Sequence, residues 1–423
     1  MKLATNNLAF SKAEPCIMHI DLNSAFATTE QQARPNLRGR AIGVTNRISK
    51  NCCVIAASIE AKQQGVKVGM SLSEAKDIVP NFIILESDPP KYHYVYQTLV
   101  KIMSSYSPKF QMKSIDEGII DFTGTRTSIN QRSLESIGYE IKQRFKDELG
   151  GWMRVNIGIA PNQFLAKQAA GWHKPDGLDV LDYRNLLSYY RTMKLTDLSG
   201  IAARFEARLN AAGIYTPEQF VRADPWYLRK RVFNSITGEY WHQRLHGYEI
   251  DDYKTKLGLV GRQWVLAEKT NDERKLFSYL HHLSEATGKK LRFKNADARG
   301  ILVWANFQNG ESFVGRKMFK TTFYSDAEIY RRALLVFNTR SRGMSVTSMG
   351  VSCYEITASN RAQQSMFDQI EQLNSLTTAV DEVNERYGGY MIHAANSLLG
   401  KQTIKTKVPF GSTAYLSLLS ANS

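Results

Sequence analysis

Ser114-Ile115-Asp116-Glu117-Gly118-Ile119-Ile120-Asp121 sets two adjacent carboxylates inside a run that otherwise reads as a buried strand. In a regular strand, neighbouring side chains point to opposite faces, so Asp116 and Glu117 cannot serve one site without a distortion. Gly118 offers one, since a turn or bulge there brings both acids to the same side. The chain is therefore expected to bend at Glu117-Gly118. Asp21 ends a second apolar run, Ile17-Met18-His19-Ile20. Three carboxylates at the ends of central strands point to a hard-metal site, because Mg²⁺ takes oxygen ligands and bridges to phosphates. A plainer alternative stays open at this stage: one acid caps a turn and the others face water.

Outward from these acids, helices and strands alternate around a mixed sheet, the pattern of an α+β core. Ala25 through Gln32 reads as a short helix, and a small unit of strands and helices runs to the Asp88-Pro89-Pro90 break. An amphipathic helix from Tyr92 to Tyr106 then delivers the chain to the acidic strand. A helix from Ser133 to Leu149 and a buried strand from Arg154 to Ala160 follow. Past Asp182 the texture changes to short helices with glycine punctuation. There Leu198-Ser199-Gly200-Ile201-Ala202 resembles the turn of a helix-hairpin-helix, whose exposed N–H groups at Gly200 and Ala202 suit a phosphate. Ala202 stands where the pattern has a second glycine, and a plain helix-turn-helix bundle fits as well.

From Gly261 the order is strand, helix, two strands, helix, strand, the ferredoxin-like βαββαβ succession. Lys317, Lys320, Arg331, Arg332, Arg340 and Arg342 load its later half with positive charge. Each alone reads as a solvated surface residue; together they read as a nucleic-acid contact. Over all 423 residues, 55 Lys+Arg against 40 Asp+Glu leave a formal charge of +15. That excess predicts a polyanionic partner, with nucleic acid first. No amphipathic basic helix argues for a membrane surface, and no apolar run approaches the roughly 20 residues of a membrane span. The N-terminus lacks the apolar core of a signal peptide, and Cys16, Cys52, Cys53 and Cys353 form no CxxC pair. A reducing cytoplasm is the expected location. Gly310 to Gly315 precedes a strand and lacks the Lys-Ser/Thr of a phosphate loop, and there is no GxSxG or HExxH.

Several stretches resemble one family in its own order, the Y-family lesion-bypass DNA polymerases. They are Asp21-Leu22-Asn23-Ser24-Ala25-Phe26-Ala27, Ala57-Ser58-Ile59-Glu60-Ala61-Lys62 and Gly65-Val66-Lys67-Val68-Gly69-Met70. Ser114-Ile115-Asp116-Glu117, Asn156-Ile157-Gly158-Ile159-Ala160, and Ala166-Lys167 through His173-Lys174-Pro175-Asp176-Gly177 complete the set. The extended tail, with Asp381-Glu382-Val383-Asn384-Glu385-Arg386-Tyr387-Gly388, resembles the UmuC-like branch, the catalytic subunit type of bacterial DNA polymerase V.

The resemblance implies a right-hand polymerase: palm 1–28 and 89–182, fingers 29–88, thumb 183–250, little finger 257–358, tail 359–423. It implies that Asp21, Asp116 and Glu117, with the Leu22 carbonyl, bind two Mg²⁺ ions, and that Asp121 supports the strand pair instead. Phe26 matches the steric gate against a ribose 2′-hydroxyl; Lys62 and Lys174 match positions that touch the incoming triphosphate. Ile59 and Ala56 stand where many members carry Tyr and Thr, and neither side chain can hydrogen-bond a phosphate. Ala25 replaces an aromatic common before the gate. Gln363-Gln364-Ser365-Met366-Phe367 resembles the sliding-clamp-binding pentapeptide, with Gln363, Ser365, Met366 and Phe367 as its contacts. The implied partners are primer-template DNA, dNTP and the clamp; the branch adds a processed UmuD-like dimer and a recombinase filament. The rival functions are a non-catalytic DNA- and clamp-binding protein on the same fold and a nucleotide cyclase. The cyclase leaves the helical and basic units without a task. The accessory protein is told from a polymerase by missing carboxylates, and all three are present here.

Overall fold

The computed structural model describes residues 9–48, 52–125, 132–251, 257–359, 369–387 and 390–404. The chain divides after residue 253 into two compact units, each with its own apolar core.

In the first unit, the apolar run becomes β1 (Ile17–Leu22), and α1 (Ala25–Ala33) starts after a two-residue turn. Ser24 makes that turn with φ +47, and the Thr28 hydroxyl donates to the Asn23 carbonyl at 2.6 Å, closing the first helical turn. A small layer follows: β2 (Ile42–Thr45), β3 (Ala56–Ala57), α2 (Ile59–Gln63), α3 (Leu72–Ile78) and β4 (Ile83–Glu86). Its sheet runs β3-β2-β4 over a core of Val54, Val66, Val79 and Phe82. Ser58 caps α2 and Ser71 caps α3, satisfying N–H groups that a helix start leaves unpaired.

The chain returns through α4 (Pro89–Ser104), opened by Asp88 as its cap and by prolines where no N–H is needed. Then come β5 (Phe110–Met112), β6 (Glu117–Asp121), α5 (Leu134–Leu149), β7 (Val155–Ala160), α6 (Gln163–Trp172) and β8 (Leu178–Val180). The resulting sheet runs β5-β6-β1-β7-β8, with β1 central and antiparallel to both neighbours. All six residues of β7 are buried, which explains a strand of small and apolar residues broken only by Asn156.

Short helices complete this unit: α7 (Leu186–Arg191), α8 (Ala203–Ala211), α9 (Pro217–Arg222), α10 (Pro225–Tyr227) and α11 (Thr237–Leu245). Phe220 stacks on Phe233 and tilts against Trp241, giving these helices an aromatic core. Gly200 turns at φ +96 with Trp241 beneath it, whereas Ala202 sits at an ordinary φ of −106. The missing second glycine is therefore no obstacle to the turn.

The second unit follows the expected βαββαβ order. It comprises β9 (Leu259–Thr270), α12 (Glu273–Phe293), β10 (Ala296–Phe307), β11 (Ser312–Phe323), α13 (Asp326–Phe337) and β12 (Val346–Ala358). The sheet runs β11-β10-β12-β9, antiparallel throughout, so the second and fourth strands are central. Alternation sends Ile301, Val303, Ala305, Met349, Val351 and Cys353 into the core with Leu280, Leu283 and Phe337 of the helices.

Two arginines expected on the DNA-binding surface lie elsewhere. Arg332 and Arg340 are 6% and 5% exposed. Arg332 bonds Glu328 at 2.9 Å and Thr321 at 3.1 Å, under the rings of Phe319 and Phe323. Arg340 pairs with Glu273 and donates to the Phe337 carbonyl at 3.0 Å. Both guanidinium groups are spent inside the fold. Lys317, Lys320 and Arg331 are exposed, as expected.

The tail carries α14 (Gln369–Tyr387) and a further short helix, α15 (Leu398–Thr403). Arg292 of α12 bonds Asp381 of α14 at 2.9 Å, and Glu285 accepts from Ala394 N–H at 3.0 Å and from Ser397 at 2.9 Å. A Cβ on Gly400 would lie 2.6 Å from the Ser278 carbonyl, so α15 rests directly on α12. The tail is thus part of this unit's packing. The clamp-like stretch Gln363 to Phe367 lies outside the described residues.

Candidate active site

Antiparallel pairing places Asp21 of β1 opposite Glu117 of β6, so their side chains share one face at the strand ends. Asp116 stands one residue before β6. Leu22 N–H donates to its carbonyl at 3.0 Å, while Lys113 and Ser114 N–H both donate to the Glu117 carbonyl at 2.9 and 3.1 Å. The chain therefore bends ahead of Glu117, not at Glu117-Gly118 as expected. Gly118 lies within the strand and has a different task. A Cβ there would come within 2.8 Å of the Met103 methyl and 3.0 Å of the Met112 sulfur. The ends of the Met103 and Met112 side chains fill the space beside this glycine, and no left-handed φ is needed there.

Charge around the acids is closely balanced. Lys167 of α6 places its ammonium 2.7 and 3.0 Å from the two Glu117 oxygens, and His19 Nε2 lies 3.2 Å from Oε2. Burial pushes the Glu117 carboxyl up, but the bonds from His19 and Lys167 outweigh it and hold the group at about 2. Lys174 pairs with Asp21. Asp116 differs. Burial raises its pKa, the charges of Asp21 and Glu117 add to the rise, and only the Ser114 hydroxyl and backbone oppose it. Lys62 of α2 belongs to the same cluster. Burial lowers its pKa, Lys174 lowers it further, and Asp21 and Asp116 pull it back.

Asp21, Asp116, Glu117, Lys62 and Lys174 thus come together from four separate stretches of chain. Asp121 does not join them: it pairs with Ile17 at the far end of β6, and its side chain accepts from Thr123 N–H at 2.7 Å. His19, Ser114 and Lys167 were not singled out as site residues, although His19 lies two residues before Asp21, the spacing that shares a strand face. Among the described residues, no three His, Cys, Asp or Glu side chains converge closely enough to hold a metal ion. Asp21 and Glu117 are turned onto ammonium groups instead. The acids offer only oxygen donors, the type that hard divalent cations take, so the donor set fits such an ion once Lys167 and Lys174 yield.

Phe26 lies in the first turn of α1, 5% exposed, and stacks on Tyr92 of α4 with centroids 4.3 Å apart. The Tyr92 hydroxyl donates to Glu30 at 3.0 Å, and Lys91 pairs with the same buried carboxylate at 2.8 Å. Ala56 is buried in β3 and Ile59 opens α2, so neither offers a polar side chain near Lys62.

On the second unit, the sheet face away from α12 and α13 carries Leu259, Val265, Trp304, Val314, Arg316, Met318 and Tyr354. Trp304 lies across Gly350 and Tyr354 across Gly300, where any Cβ would meet the rings within 2.5 Å. Flat rings beside an exposed arginine suit a nucleic-acid surface. The alternation of faces along β9 to β12 was the signal for these residues.

Comparison with known proteins shows the family and the fold. The impB/mucB/samB family matches residues 20–171, and its C-terminal domain matches residues 260–366. DNA polymerase IV 1 of Halalkalibacterium halodurans is 26% identical over 92% of this chain and 95% of that protein. DNA polymerase IV of Moorella thermoacetica is 29% identical over 91% of this chain and 96% of that protein. Among solved structures, a Y-family DNA polymerase chimera superposes with a TM-score of 0.67 at 24% identity, over 80% of this chain and 98% of that one. An insertion ternary complex of Dbh DNA polymerase gives 0.54 at 23% identity, with the same coverage of 80% and 98%. These two structures speak for the fold. The relatives carry the name DNA polymerase IV, so the UmuC-like branch expected from the tail is not supported. The packing of that tail onto α12 gives it a structural role of its own.

Proposed function

The chain belongs to the impB/mucB/samB family of Y-family DNA polymerases and is a DNA-directed DNA polymerase; on that premise we propose that it performs lesion bypass, extending a primer 3′ end opposite damaged template bases. The observation that carries this reading is the convergence of Asp21, Asp116 and Glu117 with Lys62 and Lys174 at the open end of β1 and β6. We assign the five-stranded sheet and its helices to a palm, residues 29–88 to fingers, 183–250 to a thumb and 257–358 to a little finger.

Y-family polymerases use divalent metal ions, and the reading here is two Mg²⁺ held by Asp21, Asp116, Glu117 and the Leu22 carbonyl. When bound, such ions lower the pKa of the primer hydroxyl and offset the charge of the triphosphate and leaving pyrophosphate. The chain's own residues do the rest. Lys174, released from Asp21, and Lys62 meet the triphosphate, where fixed cations match the charge that spreads over phosphoryl oxygens. Burial and Lys174 lower the pKa of Lys62, and a phosphate beside it would act in the opposite direction, as Asp21 and Asp116 already do. Before an ion displaces Lys167, His19 and Lys167 keep Glu117 ionised. Phe26 closes the pocket on the sugar side.

DNA contact falls to Lys317, Lys320 and Arg331, to the open face with Trp304, Arg316 and Tyr354, and to the turn at Gly200 and Ala202. The start of α8 has no side-chain cap, which leaves its first N–H groups for a phosphate. Gln363 to Phe367 remains the proposed clamp contact. The UmuD-like dimer and the recombinase filament rested on the branch resemblance and lose their support with it. No described helix is long and apolar enough to cross a membrane, and a bacterial cytosol is the proposed location.

The test is primer extension by the purified chain alone on a template with one abasic site. Insertion opposite the site, followed by extension past it, is expected. Extension that copies intact template and stops one base before the site would leave a polymerase without bypass. DNA binding without any extension would return the accessory-protein reading.

A further inference from the structure

The turn that carries Lys174, residues His173 to Gly177 between α6 and β8, is held from several sides. Asp176 stands in the left-handed region at φ +62. Its N–H donates to Asn23 Oδ1 at 3.0 Å, and Gly177 N–H donates to Asn156 Oδ1 at 2.9 Å. Asn23 is buried two residues beyond Asp21, and the fully buried Asn156 is the β7 partner of Asp21. The His173 ring bonds Asp179 at 2.6 Å. A Cβ on Gly177 would lie 2.5 Å from the His173 carbonyl, so the turn closes tightly on itself.

The remaining support comes from Lys142. It lies on the buried face of α5 with Ile137, Ile141 and Phe145, and is only 8% exposed. Its ammonium bonds the Asp176 carbonyl, lies 3.4 Å from the Gly177 carbonyl and sits 3.2 Å from Asp176 Oδ1. Lys146, one turn on, lies 3.6 Å from the other Asp176 oxygen. Burying an ammonium in an apolar helix face is costly unless such partners replace water, and a leucine would pack there without that cost.

We propose that Lys142 is a positioning residue for nucleotide addition: it fixes the backbone at Asp176 and Gly177 so that Lys174 meets the triphosphate of the incoming dNTP. This rests on the triphosphate role of Lys174 given above. Lys142 touches neither substrate nor the carboxylates, and it acts through the turn. Small displacements of a positioned group cost up to about a hundredfold in rate, so loss of this anchor is felt mainly in nucleotide use.

The experiment is steady-state single-nucleotide insertion by the full chain, with Lys142→Met, Lys142→Arg, Lys174→Ala and the Lys142→Met/Lys174→Ala pair. Lys142→Met is expected to raise the dNTP KM about tenfold while kcat stays within about threefold of the parent. Lys142→Arg, which keeps the charge, is expected to restore KM to within about threefold. In the Lys174→Ala background, Lys142→Met is expected to add less than about twofold, because both act through one contact. A fall in kcat and KM unchanged, the mark of mere loss of folded enzyme, overturns the proposal. Full additivity in the pair does so too. If Lys142→Met does not fold, Asp176→Asn removes only the counter-charge and is expected to raise KM about threefold; an unchanged KM there counts against the proposal. A Lys174→Ala chain with the parental dNTP KM would refute the triphosphate role itself, whereas an impaired Lys174→Ala beside an unimpaired Lys142→Met refutes only the anchoring.

Discussion

Asp116→Asn is expected to leave primer-template binding within about twofold and to lower the nucleotide-insertion rate by roughly a thousandfold or more, the scale of losing a group aimed at developing charge. The substitution is nearly isosteric and keeps an oxygen to accept from Ser114, so the bend before β6 has no reason to change. What disappears is a negative charge that the protein holds at a cost. Asp116 is the acid whose pKa is raised, by burial first and by Asp21 and Glu117 next. Asp21 and Glu117 already have ammonium partners, whereas among the described residues no lysine or arginine lies in ion-pair range of Asp116. A carboxylate without an ammonium partner has its oxygens free to take a cation, whereas a paired one must first give up its lysine. Filter binding beside a single-turnover insertion assay separates the two effects. An Asp116→Asn chain retaining more than about a tenth of the parental rate would remove Asp116 from the centre.

Phe26→Ala is expected to raise ribonucleotide insertion relative to deoxyribonucleotide by about a hundredfold, as removal of a steric block against one hydroxyl should. A gate works only if its ring cannot swing aside, and here the ring is braced. Tyr92 stacks on it at 4.3 Å, the Tyr92 hydroxyl is fixed on Glu30, and Glu30 is fixed by Lys91. The turn at Ser24 places Phe26 five residues after Asp21 and on the first turn of α1, next to the end of β1. Because the ring is also core, the variant should lose about 3 kcal/mol of stability. Selectivity ratios are therefore read on the folded enzyme. An unchanged ratio would make Phe26 a packing residue alone.

Much of this was legible along the chain. The acids at the ends of β1 and β6, the βαββαβ order of the second unit and the helix at Gln369–Tyr387 follow from apolar runs and periodicity, whereas the short strands β4, β5 and β8 were not read. What escaped depends on contacts between distant residues. Lys167 on Glu117, Lys174 on Asp21 and Lys142 on Asp176 join residues 34 to 153 positions apart, and nothing local marks them. Gly118 was given a bend because a glycine allows one, yet it lies in a regular strand with the ends of the Met103 and Met112 side chains where a Cβ would stand. Arg332 and Arg340 were counted as surface charge because charged residues seldom lie fully inside. The one local sign was Glu328, four residues before Arg332, a spacing that pairs on a helix. The tail read as a branch marker because it is long; Arg292 donating to Asp381 and Glu285 accepting from Ala394 N–H show a segment packed against its own unit.

The most direct test of the central claim is insertion of one correct dNTP on an undamaged primer-template by the purified chain, measured across a Mg²⁺ titration and again with EDTA. Insertion that rises with Mg²⁺, vanishes with EDTA and is restored by added Mg²⁺ is the result expected of Asp21, Asp116 and Glu117 as a metal-dependent nucleotidyl-transfer centre. DNA bound normally at every Mg²⁺ concentration, with no nucleotide added at any of them, would contradict it.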